Sequence, residues 1–397
     1  MLHLFGAYLN TTENWAYRLM DSLNSCKIYI GSAIFLRHNF YSSKFTFIPN
    51  PLDSVTQHVL EYKRGTAISF YKNSLLKITR FFFGSYTHHL LKTAGKENIQ
   101  LIHSHFSFVG YEYLPLSRKL NIPHLVSFYG FDYEWLPYNF PEWNKKYKKL
   151  FNEADLFICE GNYSAMRLQS IGCNSSKIRV VRLGVNPEKI VYHPRKKNPG
   201  ELKLLQVAAF NAKKGHRHAV EAFAAALESC PNMTMTFVGK DGMDNIEQLT
   251  KELVAELKLE DKIFFEGLID FEKLHDFMHD YQVFIHPSCH TPKKDCEGGA
   301  PVVLLDAQAT GMPVISTNHC DIPDEVIQNS TGLLADEFDV EALAKHISHF
   351  YNMGQQEFDG FAKNAREHIE KNYDISKNAL VLEDIYHEAL QKRKNVE

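Results

Sequence analysis

Short apolar runs alternate with longer stretches of helical periodicity along almost the whole chain. In the first half, runs at Leu2–Leu9, Lys27–Gly31, Ile99–Ser104, His124–Phe128, Asp155–Glu160 and Ile178–Arg182 read as strands. The second half repeats the rhythm at Leu202–Ala208, Thr234–Gly239, Lys262–Phe265, Gln282–Pro287 and Pro313–Thr317. Amphipathic stretches such as His216–Leu227 and Glu247–Leu257 lie between them. Strand-length apolar runs punctuating 3.6-period segments predict α/β domains, parallel sheets covered by helices. One sharp change of composition occurs at His193–Glu201 (HPRKKNPGE), which is polar, basic and rich in Pro and Gly and reads as a linker. It divides the chain into residues 1–192 and 201–376, each long enough for a doubly wound Rossmann-like domain.

Composition narrows the class without naming it. At 44% hydrophobic and 23% charged residues, the 397-residue chain is that of a folded globular protein, too long for one core. A net charge of −3 gives no general attraction to nucleic acid, and none is expected as a partner. Seven scattered cysteines without a CxxC pair suit a reducing compartment, and the spacing offers no metal-ligand cluster. With no leader pattern and no apolar run of about 18 residues, a cytoplasmic chain is expected. The segment 62–96 carries seven Lys or Arg and no acid, interleaved with Phe70, Tyr71, Phe81, Phe82, Phe83 and Tyr86. Such a segment suits peripheral contact with the inner face of an anionic membrane, or equally a basic helix pair packed on the sheet.

Ligands of open α/β sheets bind beyond the carboxyl ends of strands, so chemistry is sought there. The richest segment is Cys296–Thr317 (CEGGAPVVLLDAQATGMPVIST), following a strand that ends at His286-Pro287-Ser288. Glu297 sits with Gly298, Gly299 and Ala300 in a loop that opens a helix at Pro301, and Gly311 closes it. A glycine-rich helix entrance leaves amides free and presents the positive end of the dipole, which suits a pyrophosphate. Asp306 lies five residues beyond Pro301, about 7 Å along the axis, within reach of a ribose. The plain alternative is Pro and Gly punctuation around a buried helix, but it leaves Asp306 unexplained amid Val302, Val303, Leu304, Leu305 and Ala307.

This segment resembles the two-carboxylate donor motif of the family 4 glycosyltransferases. That pattern is Glu, seven residues, Glu; here eight residues separate Glu297 from Asp306, and the second acid is a shorter Asp. The resemblance extends to Phe210–Leu227, where Lys214 matches a Lys that, with an upstream Arg, clamps the donor pyrophosphate. The Arg position falls on Ala209, and Lys213 or Arg217 stands near enough to compensate. Loops FVGKDG and FEGL, with Gly239, Gly267 and Leu268, match those near the nucleotide. In the first half, His105 matches a His that approaches the donor sugar, although a lone His is as often structural. Asp132, in SFYGFD, either orients an acceptor hydroxyl or caps a turn. The resemblance implies the GT-B architecture, two Rossmann-like domains facing across a cleft, with a last helix over about 377–397 packing back on the first. It further implies retaining transfer of a hexose from a UDP- or GDP-sugar to a glycan or lipid-linked acceptor, with His105, Lys214 and Glu297 at the reacting centre and no metal or other cofactor. A catalytically silent donor-binding partner in a polysaccharide assembly complex is the alternative, favoured by the missing Arg and the shortened acid.

Overall fold

The computed structural model describes residues 1–9, 14–36, 44–50, 86–242 and 245–394. Two sheets organise it. The first joins β1 (Leu2–Tyr8), β2 (Tyr29–Phe35), β3 (Thr46–Ile48), β4 (Ile102–His105), β5 (His124–Ser127), β6 (Leu156–Cys159) and β7 (Ile178–Val180) in the order β3-β2-β1-β4-β5-β6-β7. The second joins β8 (Leu202–Val207), β9 (Met233–Val238), β10 (Ile263–Phe265), β11 (Val283–His286), β12 (Val314–Thr317) and β13 (Gly332–Ala335) in the order β10-β9-β8-β11-β12-β13. Every ladder is parallel. Strand order reverses between β1 and β4 and again between β8 and β11, and those are the two places where a doubly wound sheet opens a crevice for a ligand.

Sequence pattern accounts for most of this. On the helix His216–Leu227, Ala219, Val220, Phe223 and Ala226 form one buried stripe against Leu204, Met235 and Val283. Burying a side chain such as Phe223 is worth about 2–3 kcal/mol. The edge strands β3 and β13, three and four residues long, were not expected.

The last helix, Ile375–Lys394, leaves the second sheet and lies on the first. Ala379, Leu382, Ile385, Tyr386 and Ala389 share a core with Leu19, Met20, Leu125 and Ile158. Glu383 accepts from the amides of Asn24 (2.6 Å) and Ser25 (2.8 Å). Residues 193–201 join the two lobes without helix or strand, as their composition predicts, but two of their basic side chains are buried. Arg195 and Lys197 are 5% and 2% exposed. Arg195 donates to the carbonyls of Thr310 (2.8 Å), Tyr281 (2.7 Å) and Met278 (3.2 Å), while Lys197 donates to that of Tyr351 (3.0 Å). These carbonyls lie at or just beyond helix ends, where a cation meets the negative end of the dipole. The basic residues of the segment are therefore a clasp on the second lobe.

Most of the basic aromatic stretch 62–96 lies outside the described residues. Its described part, residues 86–96, is helical. There Tyr86 faces the core, donating to the Ile48 carbonyl (2.7 Å) and accepting from the Ser32 amide (3.0 Å). Among the described residues, no helix is long and apolar enough to cross a membrane.

Candidate functional site

Lys214 and Glu297 follow the two strands that flank the switch point of the second sheet. After β8 the chain makes a short 3-10 turn, Ala212–Lys214, capped by the Asn211 side chain. It then passes Gly215 at φ +67°, where a Cβ would fall 1.9 Å from the Pro287 carbonyl oxygen. Only glycine fits so close a crossing, and the crossing brings the Lys214 ammonium onto the Glu297 carboxylate, with which it pairs. Ser288 Oγ donates to the other oxygen of Glu297 (3.1 Å), and His286 Nδ1 lies 2.8 Å from Ser288 Oγ. The Glu297 side chain is only 4% exposed. Burial alone pushes its pKa up, but Lys214 and Lys213 reverse the effect and hold it at about 2. Burial lowers the pKa of Lys214, against the pull of Glu297.

Lys213 points into the same site. Its ammonium donates to Asp295 Oδ1 (3.1 Å) and to the Cys296 carbonyl (2.8 Å). Arg217 points away, pairing with Glu221 on the surface with its side chain 72% exposed. Of the two cations that the sequence left open as substitutes for an Arg at position 209, Lys213 is the one beside the loop.

The helix entrance is engaged in this arrangement. Gly298, at φ +89°, touches Gly130 of the first lobe, itself at φ +77°. A Cβ on Gly130 would meet Gly298 Cα at 1.9 Å. The Gly299 backbone packs on the Glu160 carboxylate, whose Oε2 a Cβ there would meet at 2.2 Å, and the amides of Gly298 and Gly299 favour the charged forms of Cys320 and Glu160. Ala300 follows, half-buried. Burial and the nearby Asp321 push the Glu160 pKa well up. The Gly299 backbone, expected to face a diphosphate, is thus covered by Glu160 of the first lobe.

Asp306 is buried on the helix Val302–Ala309 and faces the interface between the lobes. His275 donates to its carboxylate at 2.9 Å, and Arg18 of the first lobe lies 3.5 Å from the same oxygen. Burial works against its charge, but Arg18 and His275 hold its pKa below the ordinary value. Gly239 and Gly267 are joined by an amide-to-carbonyl bond of 2.8 Å, with Leu268 65% exposed beside them. A Cβ on Gly239 would strike the Ala208 carbonyl oxygen at 1.9 Å, so glycine lets this loop pass close against the chain leaving β8.

Two first-lobe candidates have other surroundings than a cleft. His105 is fully buried, with Nε2 3.0 Å from His3 Nδ1 and Nδ1 2.7 Å from the Tyr129 hydroxyl. Burial, His103 and His3 drive its pKa well down, so the ring is neutral. It reaches the cleft only through Tyr129. Asp132 is a cap and touches no open space. Its carboxylate takes the Ser107 amide and hydroxyl (both 2.6 Å) and the Tyr129 amide (2.9 Å). Burial raises its pKa to about 6 despite those bonds. Chain direction at a loop is not visible in residue type, and that is why an acid two residues after the glycine was open to both readings. Phe106, between β4 and the helix Ser107–Leu120, holds φ +75° and packs 4.9 Å from Tyr129, so backbone strain is concentrated at the same crevice.

The sequence matches the family described as Glycosyltransferase Family 4 over residues 55–189 and that described as Glycosyl transferases group 1 over residues 192–368. The two matches run through both lobes, and the second contains Lys214, Glu297 and Asp306. The chain belongs to the family 4 glycosyltransferases. A protein named as a colanic acid biosynthesis glycosyltransferase, WcaL of Escherichia coli K12, is 32% identical over 229 residues, 58% of this chain and 55% of its own length. The chain thus spans about half the length of the curated relative it matches. A glycosyltransferase from Rickettsia africae superposes over 98% of both chains at a TM-score of 0.74 and 18% identity. Anabaena HepE in complex with UDP and glucose superposes over 97% of this chain and 98% of its own at 0.70 and 14% identity. Both likenesses establish the fold, two Rossmann-like domains in the GT-B arrangement. Within this family member, Arg18, Glu160, Ser288 and Tyr129 complete the surroundings of the candidate residues. Tyr129 stands in the SFYGFD loop that the resemblance singles out, in the position of a family His; Arg18 and Glu160 carry no such signal, because their partners Asp306 and Gly299 lie across the cleft.

Proposed function

We propose that this chain transfers a hexose from a UDP- or GDP-sugar to an acceptor hydroxyl of a glycan or lipid-linked glycan, with retention of anomeric configuration, in surface polysaccharide or glycolipid synthesis. The observation that carries the reading is the Lys214–Glu297 contact at the switch point of the second sheet, beside the glycine-led entrance of the helix Val302–Ala309. WcaL, named for colanic acid biosynthesis, supports the substrate class, and the UDP and glucose of the HepE complex support the donor class.

In this reading the lobes part to admit the donor, and its diphosphate takes the place of the Glu160 carboxylate at the Gly299 amide. Lys213 and Lys214 then lie beside the phosphates, Glu297 reads the sugar hydroxyls, and the loops of Gly239, Gly267 and Leu268 face the base. Asp306, with His275, takes the ribose hydroxyls once Arg18 yields its share. The bond from the anomeric carbon to the β-phosphate oxygen breaks as the acceptor oxygen bonds that carbon on the same face. The acceptor proton passes to the leaving phosphate, so the step needs no cofactor and no dedicated base. Preorganised cations and amides stabilise the charge that develops on the leaving group. Closure of the lobes aligns the reactants and keeps water out. His105 acts by holding the Tyr129 ring at the acceptor side.

Thermal-shift screening with UDP- and GDP-sugars tests donor binding, because a ligand of the folded state raises Tm. The expected result is a rise with one nucleotide class that Lys214→Ala and Glu297→Gln both abolish. A chain unmoved by every nucleotide sugar, or a Lys214→Ala variant with an intact shift, sinks the proposal. Proton NMR of the new anomeric centre then tests retention. Ala209 and the occupied carboxylate of Asp306 favour one other reading, a donor-binding partner without turnover. Such a chain raises its Tm with donor yet releases no nucleoside diphosphate.

A further inference from the structure

We propose that His290, Cys296 and Cys320 bind a zinc ion that locks the Glu297 loop to the turn following β12. One ligand atom from each of these three side chains lies within 4.8 Å of the other two. A tetrahedral zinc with bonds of about 2.3 Å to sulfur and 2.0 Å to nitrogen places its ligand atoms about 3.3–3.8 Å apart. Contraction by at most about 1.5 Å therefore closes the site around the ion. Two thiolates and an imidazole are the donor set that selects zinc over harder cations.

The surroundings are those of a prepared site. His290 donates from Nδ1 to the Glu337 carboxylate (2.8 Å), which turns its other ring nitrogen to Cys296, where a metal ion would replace the proton between them. A carboxylate behind a metal-binding imidazole fixes its tautomer and orientation. The same Glu337 oxygen takes Nδ1 of His319 (2.7 Å), and its other oxygen takes the His290 amide (2.8 Å). His319 Nε2 accepts from the Glu297 amide (3.1 Å) and lies 3.3 Å from Cys320 Sγ, which pins the two loops beside the site and leaves the fourth position on zinc to water. Cys296 and Cys320 are 1% and 9% exposed, out of reach of competing solvent. Cys320 holds φ +49°, a conformation unfavourable for a side chain other than Gly or Asn, so backbone strain is maintained where the thiol is aimed.

Position gives the site its consequence. Cys296 immediately precedes Glu297, and Cys320 immediately precedes Asp321. The Asp321 amide donates to the Gly299 carbonyl (3.0 Å), while its carboxylate takes the Tyr163 amide of the first lobe (2.7 Å). A bound ion ties together the carboxylate that faces the donor, the helix entrance and the contact between lobes. The inference does not depend on the reaction proposed above.

Elemental analysis of the full chain, expressed with zinc and purified without chelator, should find about one zinc per chain. Cys296→Ser and Cys320→Ser should each lose it, whereas Cys26→Ser, on the first lobe, should keep it. Should the serine variants fail to fold, Co2+ added to the metal-stripped natural chain gives an independent measurement. A thiolate-to-cobalt absorption with intense visible bands of a tetrahedral ion is expected. Fewer than about one zinc in ten chains with only weak octahedral cobalt bands overturns the proposal. So does zinc that persists in both serine variants, or a Cys296–Cys320 disulfide in the chain as purified.

Discussion

Replacing Gly130 by alanine asks whether the two lobes must meet as the structure has them. The new Cβ falls 1.9 Å from Gly298 Cα and 2.5 Å from its nitrogen, about 1.5 Å short of the 3.4 Å at which ordinary contact begins. Neither atom is the end of a flexible side chain, so the lobes stay about that far apart or the Glu297 loop shifts. A displacement of about 1 Å in reacting geometry costs about 100-fold in rate. The variant also carries an alanine at φ +77°, which costs about 1–2 kcal/mol. Gly172→Ala separates the two effects. It sits at φ +100° with no atom within 4 Å of its Cβ, and so adds strain without a clash. Both variants should lose a few degrees of Tm, at about 2–4 °C per kcal/mol for a lobe of this size. Release of nucleoside diphosphate from the donor that binds should fall about 100-fold in Gly130→Ala and stay at the natural rate in Gly172→Ala. Equal rates in the two variants would refute the claim that turnover needs this contact.

Three further outcomes rest on particular side chains. Lys213→Ala should weaken donor binding about 10- to 100-fold, the worth of one charged hydrogen bond, while Arg217→Ala leaves the titration unchanged because its side chain is 72% exposed and turned to Glu221. Arg195→Ala takes the Arg195 donor from the Tyr281 carbonyl, while those of Thr310 and Met278 keep the amides of His193 (3.1 Å) and Tyr281 (3.3 Å), and should cost about 1–3 kcal/mol in urea unfolding of the second lobe; a change below about 0.5 kcal/mol would contradict the clasp. Glu325 is 6% exposed, and burial with Glu160 and Asp321 nearby raises its pKa well above 4.5. Between that unfolded value and the raised folded one, the native chain holds the extra proton, so stability falls as pH rises, by about 1.4 kcal/mol per pH unit. Glu325→Gln removes that loss, and its gain over the natural chain should be absent near pH 4 and grow toward pH 8; a gain independent of pH would refute the assignment.

How much of this was legible in the sequence depends on what each residue type can signal alone. Parallel strands buried on both faces leave continuous apolar runs, and every strand but β3 and β13 overlaps a run read near its place. The linker was legible but its clasp was not, because Pro, Gly and Lys describe a plain connector and a segment that caps helices alike, and capping depends on where the carbonyls lie. Lys213 and Arg217 are indistinguishable by spacing, yet one turn of 3-10 helix and Gly215 at φ +67° aim the first inward. Cys296 and Cys320 lie on loops after two adjacent strands, too far apart in sequence for any metal-ligand spacing to show.

These failures have a common cause in the topology. In a parallel sheet every carboxyl end points the same way, so chemistry can be located by inspecting the loop at each carboxyl end, and Lys214, Glu297 and Glu160 all stand in or beside loops found in that way. A loop at a strand end in one lobe then meets its counterpart in the other, and no periodicity within either lobe encodes that meeting. Gly130 against Gly298, Glu160 on the Gly299 amide and Asp321 on the Tyr163 amide all belong to this second kind of contact. Their close packing between backbones is possible because glycine or a short acid stands at each point, and on the proposed reading these same points separate when a donor enters. The residues least visible to a reading of the sequence are therefore those on which closure, and with it the exclusion of water from the reaction, depends.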